Sequence, residues 1–374
     1  MSLFVDEFRH VCNFRAVHVR RICRGLVAVA LVLLVSCSLS TSAREPMTDT
    51  IDVLMRQYDG PVPGASVLVR KNGETVFIKG YGLADLERGV AVTTDTRFRL
   101  ASVTKQFTAT AIEILEERGE LSYEDRVSRY LPTLSPQLEA ITIRHLLTHS
   151  SGLIDYEDLI PDDATTQIHD RDVLALLEST DRLYFDPGES YRYSNSGYAL
   201  LALIVEKVSG QSFSKFLEKE IFIPLSMGSV AHVEGVTQVE KRAYGHAIDG
   251  DSWIRRDQSI TSAVLGDGGV YASVEDLAKW DAALEDARLV SRETLRIAET
   301  PHVSTDQTGV SYGFGWRISE HRGHRQIWHS GETSGFRNVL IRFPDQRLSV
   351  IVLTNRSDPR PYDTAMKIAD LFLD

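Results

Sequence analysis

Cysteine is scarce in this chain and confined to one end of it. The 374 residues include three cysteines, Cys12, Cys23 and Cys37, and all of them lie within the first 43 residues. Residues 44–374 therefore have no disulfide bond and no thiol nucleophile, and their stability must come from packing. Any covalent catalysis in this part of the chain has to use another side chain.

Net positive charge is also lacking. Lys and Arg number 41 against 52 Asp and Glu, which gives a formal net charge of -11. Residues 1–43 contribute five Arg and two acidic residues, so the remainder carries a net charge of -14. A surface this acidic repels phosphate backbones, and nucleic acid is therefore not expected as a partner.

The apolar run near the N-terminus is too short to span a membrane. Residues 26–35 form an apolar stretch of ten residues, whereas a spanning helix needs roughly twenty. Basic residues precede this stretch and small polar residues follow it, which is the layout of a signal peptide. We therefore interpret residues 1–43 as an export signal and expect the protein in the periplasm or cell envelope of a bacterium.

The end of this N-terminal leader, residues 1–43, is compatible with more than one way of processing it. Leu34-Val35-Ser36-Cys37 resembles a bacterial lipobox, which would place a lipidated Cys37 at the mature N-terminus and tether the protein to the membrane. Simple secretion after cleavage near Ala43 and an uncleaved anchor are the alternatives. In each case residues 44–374 are expected to form one catalytic domain.

Strand patterns lie at both ends of that domain. Ala65–Arg70 and Glu74–Lys79 flank Lys71-Asn72-Gly73, and Asn-Gly between alternating apolar runs is a strong hairpin signal. Further strands are predicted at Phe314–Ser319, Gln326–Ser330, Phe336–Phe343 and Leu348–Thr354. Helices are predicted at residues 102–118, Ile143–His149, Asp172–Ser179, Ser196–Ser209, Phe213–Ile221 and 363–373.

This order of elements predicts an α+β fold. A central antiparallel sheet built from both chain termini is flanked by helices, and a mostly helical lobe is inserted between its two parts. The sheet lobe is expected at about 48–118 and 260–374, and the helical lobe at about 119–259. A cleft between two such lobes is a natural place for a site.

The first chemical motif is Ser102-Val103-Thr104-Lys105. Residues at i and i+3 share a helix face, so the Lys105 amine can take the Ser102 proton or stabilise the alkoxide by its charge. Ser212-Phe213-Ser214-Lys215 fits the same pattern, so the motif is weak alone. Ser102 is favoured because it begins a helix directly after a strand, where free N–H groups can stabilise an oxyanion.

Two further motifs supply candidate partners. Tyr193-Ser194-Asn195 follows a loop signal, and in an extended segment its first and third side chains point the same way. In His329-Ser330-Gly331 the glycine removes a side chain where a substrate backbone would lie against a strand. Each motif alone is more often structural, a packed tyrosine or a simple turn. The match at His321-Arg322-Gly323 is surrounded by polar residues and is interpreted as a turn.

Together these motifs resemble the serine β-lactamase and penicillin-binding-protein superfamily, and most closely its class C-like branch of esterases, D-aminopeptidases and carboxypeptidases. The resemblance covers about residues 50–374 and implies a β-lactamase/transpeptidase-like fold. It implies Ser102 as the acylated nucleophile, Lys105 as its proton partner and Tyr193 as the base. Asn195 would orient substrate and Lys105, and the N–H groups of Ser102 and Glu332 would form the oxyanion hole beside Gly331. No cofactor or metal is implied.

The third motif departs from the β-lactamase pattern, which usually has lysine where this chain has His329. Histidine is mostly neutral near pH 7 unless its pKa is raised, so recognition of a substrate carboxylate should be weaker. The alternative is that His329 gains a positive charge beside the carboxylate of Glu332. Small carboxylic esters are therefore the first expected substrates, followed by D-amino-acid peptides or amides and then β-lactams. A non-catalytic envelope scaffold is the competing class.

Two other patterns are interpreted as structural. Gly309-Val310-Ser311-Tyr312-Gly313 fits the nucleophile elbow of α/β-hydrolases, but strand follows where that elbow needs a helix, and no acid and histidine follow Ser311 in usable positions. His145 and His149 are spaced to share a metal, but no third ligand is evident. They are expected to be buried or capping histidines.

Overall fold

The computed structural model describes residues 47–231 and 238–373. These residues fall into two units, one ending at Leu54 and one beginning at Met55. The interpreted leader, including Cys37, lies outside the described residues, so the signal peptide and the lipid tether stay predictions. Within the described ranges, no helix combines the length and the apolar character needed to cross a membrane.

The strands lie mainly at the two ends of the second unit. In its first half they are β1 (Ala65–Lys71), β2 (Glu74–Tyr81), β3 (Leu83–Asp85), β4 (Val90–Ala91) and β5 (Phe98–Arg99). Four short strands follow in the middle: β6 (Val230–Ala231), β7 (His246–Asp249), β8 (Ser252–Arg255) and β9 (Val270–Ala272). The last six are β10 (Val303–Ser304), β11 (Ser311–Tyr312), β12 (Arg317–His321), β13 (His324–Thr333), β14 (Phe336–Phe343) and β15 (Leu348–Thr354).

Most of the helices lie in the sequence between these groups of strands. Residues 47–55 form α1, which precedes the strands. The others are α2 (Lys105–Glu117), α3 (Ile143–Leu147), α4 (Asp170–Glu178), α5 (Asn195–Ser209), α6 (Phe213–Leu217), α7 (Leu265–Gly268), α8 (Val274–Asp286), α9 (Arg292–Ala298) and α10 (Tyr362–Ala369).

The main sheet of the described residues joins the two ends of the chain. Its eight strands pair antiparallel in the order β10-β11-β12-β13-β14-β15-β1-β2. β1 lies between its hairpin partner β2 and the late strand β15, where Ala65 pairs with Thr354. The turn between β1 and β2 has Asn72 and Gly73 at φ 55° and 85°, the left-handed geometry that Asn-Gly favours. The predicted α+β fold with an antiparallel sheet from both termini is therefore confirmed.

Helices cover this sheet and bury its central strands. α10 packs on β14 and β15, and α8 packs on β1 and β15. All seven residues of β15 are buried, which explains why its sequence is a nearly continuous apolar run rather than an alternating one. The other helical layer is organised around α5, which contacts α2, α3, α4, α6 and α7.

Several predicted boundaries were wrong. α3 ends at Leu147 rather than at His149, because His149 has φ 58° and cannot continue a right-handed helix. The middle segment, predicted to be mostly helical, contains the hairpin of β7 and β8, with Gly250 in its turn at φ 58°. α8 was not predicted; Ser273 begins it by accepting a hydrogen bond from the Asp276 amide.

Candidate active site

Ser102 lies at the junction of the sheet layer and the helical layer. The chain leaves β5, makes a tight 3₁₀ turn over Ala101–Thr104, and enters α2 at Lys105. The amide of Leu100 donates to the carbonyl of Val270 at 2.8 Å, which holds the turn in place. Ala101 has φ 50°, a strained conformation for a residue with a side chain and one often found at functional sites.

Lys105 is completely buried, and its amine is surrounded by oxygen atoms. Nζ lies 3.1 Å from Ser102 Oγ, 2.9 Å from Asn195 Oδ1 and 3.0 Å from the carbonyl oxygen of Asp267. Because the last two oxygens only accept, an ammonium donates one hydrogen to each of the three. A neutral amine donates to the same two and accepts the Ser102 proton. The geometry therefore suits both protonation states that proton transfer requires.

Asn195 begins α5 and links Lys105 to a carboxylate. Ser194 caps this helix by accepting a hydrogen bond from the Gly197 amide, which places Asn195 in the first turn. Asn195 Nδ2 donates to Glu157 at 3.2 Å while its oxygen accepts from Lys105. The predicted contact of Asn195 with Lys105 is present, and Glu157 is a neighbour that the sequence analysis missed.

Tyr193 lies beside Lys105 but not in hydrogen-bonding contact with Ser102. Lys105 Nζ is 4.8 Å from the centre of the Tyr193 ring. The phenol oxygen is buried and has no hydrogen-bond partner among the described residues. The ring packs against His149 with centroids 4.3 Å apart. Because catalytic hydrogen bonds are often long in unliganded sites, this placement is compatible with the predicted base.

His329 is buried on β13 and is held in its neutral form. Its Nδ1 lies 2.6 Å from the carbonyl oxygen of Ser330, and its Nε2 lies 2.8 Å from Tyr312 Oη. Since a carbonyl only accepts, Nδ1 carries a proton, and in the neutral ring Nε2 then accepts from the tyrosine. Burial lowers the pKa of His329 well below its ordinary value, and the positive charges of Arg317 and Lys105 lower it further. The expectation of an uncharged histidine follows from this environment.

Glu332 does not supply charge to His329. Its carboxylate lies 3.4 Å from Arg337 Nε and 2.9 Å from Arg360 Nε. Positions 329 and 332 also point to opposite faces of the strand, because side chains alternate along it. The alternative in which His329 becomes charged beside Glu332 is therefore wrong.

Gly331 lets two backbones approach each other. A Cβ atom there would lie 3.1 Å from the amide nitrogens of Ser102 and Val103, and closer still to the carbonyl oxygen of Leu100. The space left by the absent side chain is thus filled by the turn that carries Ser102, rather than left for a substrate. The amides of Ser102 and Glu332, the predicted oxyanion hole, consequently belong to two backbone segments that lie side by side.

One edge of β13 is open next to this site. β12 pairs with β13 only from His321–His324 to Arg317–Trp328. β13 continues to Thr333, and no strand of the described part of the chain pairs with residues 329–333 on that side. An open edge of this kind can bind an extended substrate through main-chain hydrogen bonds.

Arg317 is a cation in the site that the sequence analysis missed. Its guanidinium carbon lies 5.8 Å from the Tyr193 ring centre and 5.5 Å from the Trp328 ring centre. The sequence did contain a signal for Arg317. The predicted turn at His321-Arg322-Gly323 fixes which residues of the two strands pair, and four pairs from the turn Arg317 pairs with Trp328, the neighbour of His329. Counting pairs from the turn would therefore have placed Arg317 next to the site.

The remaining motifs lie in helix caps, a short strand and a turn. The hydroxyl of Ser212 accepts a hydrogen bond from the Lys215 amide and caps α6. Ser311 lies on the short strand β11, and Arg322 and Gly323 form a turn with φ 52° and 80°. The ring of His145 accepts a hydrogen bond from the Thr142 amide, which caps α3. Within residues 47–231 and 238–373, no group of three or more acidic, histidine or cysteine side chains is arranged for a metal ion.

Fold and site together define a serine acyl-transfer hydrolase of the β-lactamase type. A sequence model of the family described as Beta-lactamase matches residues 47–373, and the chain belongs to this family. Family membership supports an enzyme that acts through a serine nucleophile, and it does not by itself select the substrate.

Two curated relatives are similar over most of the chain. Penicillin-binding protein 4* of Bacillus subtilis (strain 168) is 33% identical over 318 residues, which are 80% of this chain and 70% of that protein. Protein flp of Staphylococcus aureus (strain N315) is 29% identical over 307 residues, 79% of this chain. The chain spans 60% of the length of flp, less than two thirds.

Solved structures agree with this assignment. The octameric penicillin-binding protein homologue from Pyrococcus abyssi is 30% identical with a TM-score of 0.78, over 87% of this chain and 76% of that one. The penicillin binding protein from Bacillus halodurans is 30% identical with a TM-score of 0.76, over 86% and 98%. The D-amino acid amidase from Ochrobactrum anthropi SV3, 22% identical with a TM-score of 0.75 over 87% and 99%, shares the fold.

Proposed function

We propose that the protein hydrolyses ester or amide bonds through an acyl-enzyme on Ser102, and that small carboxylic esters are its first substrate class. The observation that carries the proposal is the 3.1 Å contact between Ser102 Oγ and the buried Lys105 amine. A serine hydroxyl is a weak nucleophile unless a neighbouring group takes its proton. Lys105 is the group in direct contact with it.

The reaction divides into two transfers of the acyl group. Ser102 Oγ attacks the carbonyl carbon and gives its proton to Lys105 or Tyr193, and the carbonyl oxygen becomes an oxyanion held by the amides of Ser102 and Glu332. The oxyanion collapses, the bond to the leaving group breaks, and the leaving group takes the proton. Water then attacks the acyl-enzyme, gives its proton to the same base and releases the acid while Ser102 is restored.

Because His329 is neutral, it favours esters that have no carboxylate on the part of the substrate that faces this residue. The lysine usual in the β-lactamase pattern is a permanent cation, whereas His329 is buried and donates its one ring proton to a backbone oxygen. It therefore offers no charge to a penicillin carboxylate, and β-lactam hydrolysis ranks third.

Hydrolysis of D-amino-acid peptides or amides is the second candidate. The observation that favours it is the exposed carboxylate of Glu157, which lies 3.2 Å from Asn195 Nδ2. A carboxylate next to the substrate-orienting amide can pair with the ammonium group of an amino-acid substrate. A non-catalytic scaffold is disfavoured because it needs no buried amine in contact with a serine hydroxyl.

The test compares p-nitrophenyl butyrate with nitrocefin, each with the wild-type protein, Ser102→Ala and Ser311→Ala. Ser102→Ala should lower ester turnover by about three orders of magnitude or more without unfolding the protein. Ser311→Ala is the matched control, because Ser311 lies in the competing Gly-x-Ser-x-Gly pattern and should keep its activity. A serine-reactive phosphonate should label Ser102 and leave Ser102→Ala unlabelled.

The outcomes separate the alternatives. Full ester turnover in Ser102→Ala, or loss of turnover only in Ser311→Ala, would contradict the acyl-enzyme on Ser102. Strong nitrocefin cleavage would move β-lactams to the first rank. Absence of a phosphonate adduct on Ser102 would support the scaffold.

A further inference from the structure

The loop that carries Tyr193 is held by one histidine. Residues 191–194 belong to neither a helix nor a strand, and α5 begins directly after them. The amide of Arg192, the residue before Tyr193, donates to the carbonyl oxygen of His149 at 2.9 Å. The amide of Ser194, the residue after it, donates to Nδ1 of the same histidine at 3.1 Å. His149 therefore binds the backbone on both sides of Tyr193.

His149 is itself fixed to the end of α3. Its amide donates to the carbonyl oxygen of Leu146 at 3.4 Å, and the next amide, that of Ser150, donates to the carbonyl oxygen of His145 at 2.9 Å. The side chain is fully buried, and its ring packs on Tyr193 with centroids 4.3 Å apart. Because α3 packs on α5, the helical layer sets the position of His149 and, through it, the position of the loop.

The bond to the Ser194 amide requires an uncharged His149 ring. A backbone amide only donates, so Nδ1 accepts and carries no proton. Burial lowers the pKa of His149 well below its ordinary value, and the positive charges of Lys105 and Arg317 lower it further. The ring is therefore neutral at pH 7, and Nδ1 is available as an acceptor.

The phenol of Tyr193 depends on this backbone for its place in the site. Its oxygen is buried and has no hydrogen-bond partner among the described residues, and Lys105 Nζ lies 4.8 Å from the ring centre. Since no side-chain hydrogen bond of the described residues fixes the oxygen, its distance from Lys105 and Ser102 follows from where the loop lies. A shift of about 1 Å in a catalytic group lowers the rate roughly a hundredfold.

We propose that His149 is the positioning residue of Tyr193: its carbonyl oxygen and its Nδ1 hold the two flanking amides and so keep the phenol beside Lys105. This inference rests on the proposed acyl-enzyme on Ser102 with Tyr193 as its base. Loss of the Nδ1 acceptor leaves the buried Ser194 amide without its hydrogen bond, which costs free energy. The loop then has to move to find another acceptor, and Tyr193 moves with it.

The test compares two replacements of the same shape. Leucine and asparagine branch at the same atom, but only asparagine has an oxygen that can accept from the Ser194 amide. His145→Leu is the matched control, because His145 Nδ1 also accepts a backbone amide, that of Thr142 at 3.2 Å, but does so in the cap of α3. The readout is the release of p-nitrophenol from p-nitrophenyl butyrate in a single turnover with enzyme in excess, which reports acylation of Ser102. Thermal unfolding measures the stability of each variant.

We expect His149→Leu to lower the acylation rate constant about thirtyfold to a hundredfold, because Tyr193 is displaced. His149→Asn should stay within about fivefold of the wild type, and His145→Leu should keep the wild-type rate. If His149 only stabilised the fold, the rates would follow the melting temperatures of all three variants. Equal losses in His149→Asn and His149→Leu, or full activity in His149→Leu, would overturn the inference. His149→Ala, which also lacks the acceptor, replaces a leucine variant that does not fold.

A double-mutant cycle tests whether His149 acts through Tyr193. In the Tyr193→Phe background, His149→Leu should change the acylation rate constant by less than about threefold, because the phenol that it displaces is already absent. A loss as large as in the wild-type background would overturn the inference. Wild-type acylation in Tyr193→Phe would overturn it as well, while Ser102-dependent turnover still supported the proposed function. Wild-type turnover in Ser102→Ala, with no phosphonate adduct on Ser102, would overturn both.

Discussion

Replacing Gly331 with alanine tests how the site is assembled. Gly331 on β13 faces the backbone of the turn that carries Ser102. The added methyl group would lie 3.1 Å from two amide nitrogens and closer to the carbonyl oxygen of Leu100, and all of these are backbone atoms. Since a flexible side chain is not available to move aside, either the turn or the strand has to shift.

The size of the effect follows from this crowding. Overpacking a well-packed interior by one methylene-sized group costs about 1–3 kcal/mol, and contact with backbone on several sides places this variant at the upper end. A shift of about 1 Å in a catalytic group lowers the rate roughly a hundredfold. We therefore expect both a loss of stability of about 3 kcal/mol and a fall in kcat/KM of about a hundredfold.

The assay combines urea unfolding with turnover of p-nitrophenyl butyrate by the protein that remains folded. Gly197→Ala is the matched control: a Cβ atom at Gly197, in α5, meets its nearest neighbour at 3.4 Å, an ordinary contact. Because alanine favours a helix over glycine by about 0.5–1 kcal/mol, this control should be as stable as the wild type or slightly more stable. A Gly331→Ala protein with wild-type stability and activity would refute the close approach of β13 to the turn.

Two further predictions concern stability. Asp281→Asn should destabilise the protein by about 3–5 kcal/mol in urea unfolding, because the buried Asp281 carboxylate accepts hydrogen bonds from Arg70, Arg342 and Ser349; an unchanged midpoint would contradict this network. Burial raises the pKa of Glu113 to about 8, so the folded state holds this proton more tightly than the unfolded state does. The stabilisation that this bound proton gives the folded state is complete below about pH 4.5. As the pH rises toward 8 it is lost, which lowers the free energy of unfolding by a few kcal/mol. Glu113→Gln should remove this decrease when the free energy of unfolding is measured between pH 4.5 and 8. If the wild type and the variant showed the same dependence of stability on pH, Glu113 would ionise freely in the folded protein.

Local patterns in the sequence were sufficient to predict much of the fold and the contact between Ser102 and Lys105. Asn72-Gly73 predicted the first hairpin because few other residue pairs adopt its left-handed turn so readily. The apolar runs of β14 and β15 predicted buried strands, and the spacing of Ser102 and Lys105 predicted their contact. These features depend on neighbours a few residues apart, so the sequence contains them directly.

Packing between distant segments decided the rest. α8 was missed although its amphipathic sequence is ordinary, and its place is set by the face of the sheet that it covers. The end of α3 depends on the left-handed backbone of His149, whose ring is enclosed by Tyr193, Tyr198 and Tyr312. The pattern of residue types along the chain does not show which distant residues will surround a given side chain.

The sequence by itself determined which groups are available: the serine that we propose as the nucleophile, an amine one helical turn away, and a histidine in place of the usual lysine. Only the tertiary structure decided the hydrogen bonds and the ionisation of these groups. Lys105 meets oxygens from positions 102, 195 and 267, and His329 stays neutral because it is buried between Tyr312 and a backbone carbonyl. Hydrogen bonding and ionisation depend on which atoms exclude water from a group, and those atoms come from parts of the chain far apart in sequence.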